Sequence, residues 1–342
     1  MPVARAATFT GLVGMCGVGI VTALIVLAGG RVDEVVSGWV QGAFGTPRNA
    51  IETVAYTTPL VLIALGAVPA LRAGVVVIGA EGQMIVGAIA AAAVVIPWGT
   101  TLGWLAVPLG ALLGAVGGST WSLLPALPQA RWGAPEILTA LLANYLAAEI
   151  LTGLLRTTLR DPGAATAQSH RLPAAAMIPA LPGRFSTAVL LVLVVLAMAM
   201  WWYRSRAARL VDIYAQRPWL AARAGVVSSR TVLSATCASG AAAGLAGWIQ
   251  LAGVEGVLHG GISGGIGFTG LVVAILGRGR PILTVLAGLG VASLTTGAAG
   301  VELATGVPSA IGQISQAVLL VTASLAIVVV RRQTYASGAT DV

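Results

Sequence analysis

The sequence contains no lysine, since all 19 of its cationic residues are arginine. The phosphate-binding loop of P-loop ATPases requires a lysine in the pattern G-x-x-x-x-G-K-[ST], so this chain is not itself such an ATPase. Charge of either sign is scarce, because only 9% of the 342 residues are charged, whereas a soluble domain carries about 25%. No polar stretch is long enough to form a separate soluble domain.

Patterns of metal binding and catalysis are also missing from the sequence. The two cysteines, Cys16 and Cys237, lie inside apolar runs, as small buried residues do. His259 could relay protons, but a single histidine without a neighbouring His or Cys makes a poor metal site. There is no H-E-x-x-H or G-x-S-x-G motif. The sequence therefore predicts no enzyme, no metal site and no cofactor.

Apolar residues, in contrast, make up 57% of the chain. A helix that crosses a membrane needs about 20 consecutive apolar residues. By that measure we predict an all-α polytopic membrane protein, with about ten transmembrane helices in a single domain of residues 1–342. The predicted spans are 10–29, 51–71, 75–96, 102–124, 135–155, 185–203, 231–251, a short one that ends near residue 276, 281–299 and 312–330. Residues 30–49 are polar enough to leave the bilayer, and the predicted loops include residues 97–100 and 125–132.

The arginines predict the orientation of these spans. Cytoplasmic loops carry an excess of positive charge, and residues 204–230 are the most basic segment, so we place this loop inside, with both termini (N-in, C-in). The pattern Gly-x-Glu-Gly occurs at residues 79–82 and again at 253–256. These copies lie in halves of opposite orientation, which suggests an inverted repeat of spans 2–5 and 7–10, although recurrence by chance is an equal alternative in a glycine-rich chain.

Polar residues inside apolar spans are candidates for function, because a carboxylate there costs about 2.5–3.5 kcal/mol even on lenient insertion scales. Glu81, followed closely by Gln83, is expected either to line a translocation path or to brace neighbouring helices. Asn144 could recognise a solute or bond to another helix. Glu255 lies in the glycine-dense stretch 253–270, where we expect a broken helix or close helix packing.

A short amphipathic segment, DIYAQRPWLAARAGV, occupies residues 212–226 of the basic loop. Pro218 can open a helix at its first turn, and the residues after it give that helix one apolar and one charged side. The segment is expected either to lie on the bilayer surface or to dock on a cytoplasmic partner.

Three motifs in order resemble the permease subunits of ABC importers for simple sugars and nucleosides. They are TPLVLIALGAVPALRAGVVVIGAEGQMIVGA, GAPEILTALLANYL, and GAAAGLAGWIQLAGVEG with GGIGFTGLVVAILGRGRP. The resemblance covers about residues 50–330, and its GAEGQ form is most similar to the nucleoside branch. It implies a permease of the bacterial cell membrane whose solute pathway includes Glu81, Gln83, Asn144, Glu255 and Phe268.

The resemblance also implies partners. These are a separate ATP-binding cassette subunit that hydrolyses ATP, an extracytoplasmic solute-binding lipoprotein and a second permease subunit, commonly in a heterodimer. In such permeases the loop that corresponds to 204–230 carries the coupling helix, which docks on the ATPase. The residues that match this role are Gln216, Arg217, Pro218, Ala221, Arg223 and Gly225. Trp219, Leu220 and a missing asparagine depart from the family pattern.

Other functions stay open at this point. Nucleosides are the expected solutes, and simple sugars are the alternative. The choice between them stays open, because a solute-binding protein would determine most of the selectivity. Ten spans with intramembrane carboxylates would also suit an ion-coupled secondary transporter. A membrane scaffold that binds no solute is a third possibility.

Overall fold

The computed structural model describes residues 31–181, 185–186, 188–223 and 227–305, with isolated positions at 19–20, 22–23, 314, 317–318 and 321–322. The predicted spans 10–29 and 312–330 therefore lie largely outside the described residues, and so does Gly225. The chain divides into two compact units, one of Met1–Tyr56 with Leu289–Val342 and the other of Thr57–Gly288.

The described residues are almost entirely helical. The helices are α1 (Val32–Phe44), α2 (Pro47–Arg72), α3 (Ala80–Leu102), α4 (Ala106–Trp132), α5 (Glu136–Arg156), α6 (Ala188–Arg204), α7 (Arg206–Gln216), α8 (Pro218–Arg223), α9 (Ser228–Gln250), α10 (Ile266–Leu276) and α11 (Pro281–Thr305). Short 3₁₀ turns lie at Gly103–Leu105 and Ala174–Ala176, and a π-helical turn at Leu251–Glu255. Two-residue strands β1 (Ala180–Leu181) and β2 (Phe185–Ser186) form an antiparallel hairpin.

Several helical segments are long and apolar enough to cross a membrane. Within the described residues there are five: Pro47–Arg72, Ala80–Trp132, Glu136–Arg156, Ser228–Glu255 and Pro281–Leu303. A sixth candidate is α6 together with α7, which are bent by 66° at their junction. The 11 residues of α10 extend only about 16 Å, about half of a bilayer core. The all-α multi-pass class is confirmed, and the count of ten spans stays a prediction.

Two of the predicted loops are wrong. The predicted turn at 97–100 lies within α3, and the predicted loop at 125–132 lies within α4. Prolines suggested both loops, but membrane helices continue through proline where neighbouring groups satisfy the freed backbone. The turn instead follows at Gly103, whose φ of +56° suits glycine.

Small residues build the core of the Thr57–Gly288 unit, where α3, α4 and α9 pack together. A Cβ added at Gly118 would collide with the carbonyl oxygen of Gly240, and one added at Gly244 would collide with that of Gly114. The α4 and α9 backbones are therefore in direct contact, as in other membrane helices that pack through small residues. The fully buried Trp248 fills the space beside this contact.

In the other unit, α1 packs against the last part of α11. The indole nitrogen of Trp39 donates to the carbonyl oxygen of Ser293 at 2.9 Å. The backbones of Gly42 and Gly300 approach so closely that neither position has room for a Cβ. These contacts hold α1 against α11 within this unit.

Candidate functional site

Two interruptions of the helices bring the candidate residues together. The first break, residues 73–79, separates α2 from α3 and is not helical. Its side chains alternate between buried and exposed from Ala73 to Val77, as in an extended chain. A run of β-branched valines between two glycines disfavours a helix here. The helix of predicted span 3 (about 75–96) therefore begins at Ala80.

The second break, residues 251–265, separates α9 from α10. It begins as a π turn that ends at Gly256, whose φ is +72°. Leu258 is held in this break by Ser169, whose backbone N–H donates to the Leu258 carbonyl and whose hydroxyl accepts from the Leu258 N–H, both at 2.9 Å. This is the broken helix that the density of glycines in 253–270 predicted.

Glu81 links the two breaks. It lies in the first turn of α3, and its carboxylate accepts from the backbone N–H of Gly265 at 3.1 Å and from that of Gly267 at 2.8 Å. These donors belong to the N-terminus of α10, where N–H groups have no partner within the helix and where negative charge is favoured. Only 8% of Glu81 is exposed, so the carboxylate is shielded from solvent.

Asn144 holds the start of α3 from the middle of α5. Its side-chain oxygen accepts from the N–H of Gly82 at 2.9 Å, and its side-chain nitrogen donates to the carbonyl of Ile78 at 3.1 Å. Asn144 is 7% exposed. One amide therefore satisfies both a donor of the first turn of α3 and an acceptor of the break that precedes it.

Gln83 and Trp121 leave hydrogen-bonding groups open beside Asn144. Gln83 is fully buried, and neither its amide atoms nor the indole nitrogen of Trp121 has a hydrogen-bond partner among the described residues. A Cβ added at Gly82 would come within 3.0 Å of that indole nitrogen and 2.9 Å of the Asn144 amide oxygen. A buried polar group without a partner costs about 1–3 kcal/mol, so the open atoms of Gln83 and Trp121 each lower the stability of this region.

Glu255 and Phe268 have other surroundings. Glu255 ends the π turn, where one carboxylate oxygen lies 3.3 Å from the amide nitrogen of Gln250 and the other 3.6 Å from Nε2 of His259. Phe268 lies in the first turn of α10 and is 41% exposed. Glu81 and Gln83 thus lie in the first turn of α3, where Asn144 binds the backbone, whereas Glu255 contacts Gln250 at the end of α9 and His259 in the second break. The described part of the chain contains no cluster of three or more metal-ligating side chains.

The predicted coupling segment forms α8 and its junction with α7. Pro218 opens α8, Ala221 is buried, and Arg223 is exposed with its guanidinium over the ring of Trp219. Trp219 is 60% exposed. Gln216 and Arg217, at the end of α7, are exposed as well.

Sequence reasoning missed an ion pair between Arg72 and Asp212. The Arg72 guanidinium donates from Nε to Asp212 Oδ1 at 2.8 Å and from Nη2 to Oδ2. It also lies over the ring of Tyr203, 4.3 Å from the centroid. The two charged residues are 140 positions apart, so the single available signal was a lone arginine at the end of an apolar span.

Comparison with known proteins adds to this geometry. The family described as the permease component of branched-chain amino acid transport systems matches residues 49–331. A glucose ABC transporter permease of Haloferax volcanii is 34% identical over 283 residues, which are 79% of this chain and 74% of the relative. A guanosine ABC transporter permease of Bacillus subtilis is 29% identical over 312 residues, 87% of each chain. A nucleoside ABC transporter permease of Lactococcus lactis is 26% identical over 290 residues, 81% of this chain and 79% of the relative. No solved structure matches the chain significantly.

Proposed function

This chain belongs to the permease-component family of branched-chain amino acid transport systems and is an integral membrane permease of the ABC type, and from that premise we propose that it imports nucleosides. The observation that carries the proposal is the match to the guanosine permease, which extends over 87% of both chains. The GAEGQ sequence favours the same branch. Simple sugars are the second candidate, because the glucose permease is more identical over a shorter stretch.

ATP hydrolysis belongs to a separate subunit in this proposal. The chain has no lysine and so cannot form a P-loop. An extracytoplasmic lipoprotein delivers the solute, and a second permease subunit completes the pathway. Such pairing is supported by the finding that two guanosine permease chains of Bacillus subtilis match this sequence, as do two nucleoside permease chains of Lactococcus lactis.

We further propose one permease domain of ten spans, with N-in and C-in topology and an inverted repeat. The repeat is supported by the order of elements, because α2, the first break and α3 in one half correspond to α9, the second break and α10 in the other. The two Gly-x-Glu-Gly motifs do not support it, since one opens α3 and the other ends the π turn after α9. The basic loop 204–230 lies inside.

Within this pathway the candidate residues have two kinds of role. Glu81 and Asn144 brace the broken helices, because both side chains bind backbone groups. Gln83 is assigned to the solute path because its open donor and acceptor atoms suit the hydroxyl and ring groups of a nucleoside. Since the side chain is fully buried, a solute reaches it in this proposal only after the surrounding helices move. Glu255 and Phe268 line the path at the second break.

Helix α8 is the docking element for the ATPase in this proposal, together with Gln216, Arg217 and Gly225. Its support is the exposed Trp219 and Arg223 at the end of the basic loop. The variant Trp219→Ala with Arg223→Glu should lose the ATPase subunit on co-purification. Arg230→Glu is the control, because it changes an exposed arginine of the same loop outside α8. Full retention of the ATPase by the double variant would contradict the docking role.

Two experiments test the transport function and its solute. Uptake in cells should continue when the membrane potential and proton gradient are collapsed while ATP is maintained. Loss of uptake under those conditions would favour an ion-coupled secondary transporter. A thermal-shift screen of the cognate binding protein should show stabilisation by nucleosides, and stabilisation by hexoses or pentoses alone would favour the sugar alternative.

A further inference from the structure

Arg72 ends α2 immediately before the first break, and its side chain contacts three other elements. The guanidinium binds both carboxylate oxygens of Asp212 on α7 and stacks on Tyr203 at the end of α6. Its aliphatic part lies against Gly279 in the loop after α10, where an added Cβ would come within 3.3 Å of Arg72 Cγ. Movement of α7 therefore acts on the end of α2 and on the end of α10.

A shared apolar cluster also connects α7 with the first break. Val211 and Tyr214 on α7 pack against a buried apolar cluster that includes three residues of that break. The cluster consists of Ala70, Ala73, Val75, Val77, Val232 and Ala235. The hydroxyl of Tyr214 also lies 2.6 Å from that of Ser228 at the start of α9. Since α7 packs on the same buried cluster as the break, a shift of α7 is expected to disturb the packing of the break.

The first break and α10 both run between the side chains of Arg72 and Glu81. From Arg72 the break leads to Glu81, which binds the N-terminus of α10, and α10 leads back to Gly279 beside Arg72. The side chains of Arg72 and Glu81 thereby fix both ends of both segments. A displacement at Arg72 is delivered to the cluster of Glu81 and Asn144 through two routes.

The proposed ATPase contact is joined to α7 without a flexible linker. A single residue, Arg217, separates α7 from α8, and its N–H donates to the carbonyl of Ile213 at 2.7 Å while its own carbonyl accepts from Ala221 at 3.2 Å. Backbone hydrogen bonds thus run through the junction, so α7 and α8 are expected to move together.

We propose that the Arg72–Asp212 ion pair transmits movement of α8 to Glu81 and the N-terminus of α10. Through this movement the pair couples ATP hydrolysis to opening of the solute path. The inference rests on the proposed docking of the ATPase on α8 and extends it by naming the residues that carry the motion. A bidentate guanidinium–carboxylate pair fixes both distance and direction, which the point charge of a lysine does not.

The environment of the pair suits this role. The Arg72 side chain is 16% exposed and that of Asp212 is 34% exposed, so the interaction is screened less by salt than a pair on the surface. The Tyr203 ring under the guanidinium restricts it further. By comparison, Arg48 and Glu52 near the start of α2 form an exposed pair at 3.2 Å, which provides a matched control.

The test uses the full complex in proteoliposomes, with the binding protein present. Variants Arg72→Gln, Asp212→Asn and Arg72→Lys are compared with wild type and with the control Arg48→Gln. Four quantities are measured: the ATPase subunit retained on purification, basal ATP hydrolysis, solute taken up per ATP hydrolysed, and ATP-dependent change in hydrogen exchange at residues 265–269.

We expect the three variants to retain the ATPase subunit and basal hydrolysis, while uptake per ATP falls about tenfold and the ATP-dependent change in exchange at 265–269 is lost. Arg48→Gln should behave as wild type. Wild-type uptake per ATP in Arg72→Gln and Asp212→Asn would overturn the proposal, and so would loss of the ATPase subunit in both, since that would make the pair a determinant of assembly. A third result separates the two proposals. If Arg72→Gln lowers uptake per ATP while the variant Trp219→Ala with Arg223→Glu still retains the ATPase, only the docking of the ATPase on α8 is refuted.

Discussion

Replacing Glu81 by alanine removes the acceptor of two backbone N–H groups at the start of α10. Glu81 is 8% exposed, so water replaces the carboxylate poorly. A buried donor without a partner costs about 1–3 kcal/mol, and a carboxylate at a helix N-terminus contributes about 0.3–2 kcal/mol. Summed over the two donors and the helix terminus, we therefore expect Glu81→Ala to destabilise the Thr57–Gly288 unit by about 2–8 kcal/mol.

Glu81→Gln removes the negative charge of this side chain and keeps its shape. The amide keeps one acceptor oxygen but turns an NH₂ group toward the second N–H donor, so we expect a loss of about 2–3 kcal/mol. Glu149→Gln is the matched control, because Glu149 is an exposed carboxylate on α5 in the same unit. It should change stability by no more than about 0.5 kcal/mol.

Two measurements on the purified complex follow the effect of these substitutions. The thermal midpoint should fall by roughly 4–30 °C in Glu81→Ala, at about 2–4 °C per kcal/mol for a unit of this size. Hydrogen exchange should accelerate at residues 265–270 but not in α1, which belongs to the other unit. Unchanged exchange at 265–270 in Glu81→Ala, with a wild-type midpoint, would refute the reasoning that this carboxylate holds the N-terminus of α10.

Three further substitutions test the surroundings of Glu81. Asn144→Leu removes both bonds to the start of α3, so exchange at residues 78–84 should accelerate and stability should fall by about 2–4 kcal/mol; a wild-type exchange rate would contradict the bracing role. Gly244→Val should prevent α4 and α9 from packing and abolish a monodisperse elution peak, whereas Gly153→Val, where nothing lies near the added group, should elute as wild type. Trp121→Phe removes a buried donor without a partner, so thermal stability should stay the same or rise. A several-fold rise in the KM for uptake would then place the solute at this indole. An unchanged KM would exclude that contact.

The long helices could be predicted because hydropathy is a property of a continuous stretch. Predicted span 135–155 became Glu136–Arg156, and 231–251 became Ser228–Gln250. The first break could not be found in this way, since its valines are as apolar as a helix that spans the membrane. Its extended form depends on Asn144, whose bond to Ile78 crosses 66 positions of sequence.

The candidate site was partly visible in the sequence for a physical reason. Carboxylates and amides are costly inside apolar spans, so Glu81 and Asn144 stood out individually. What the sequence did not provide was their partners, because each bonds to backbone groups whose exposure depends on where a helix is interrupted. Arg72 and Asp212 show the same limit, since neither is unusual until the fold brings α2 and α7 together.

Import of guanosine by this chain is tested by uptake into proteoliposomes. The vesicles contain this chain, its second permease subunit and the ATPase; the loaded binding protein is on the side of the membrane opposite to the ATPase, and no ion gradient is present. We expect guanosine to accumulate against its concentration gradient with ATP and to stop accumulating with a non-hydrolysable analogue. Accumulation driven by an imposed proton or sodium gradient without ATP, or accumulation of glucose with no uptake of guanosine, would contradict this expectation.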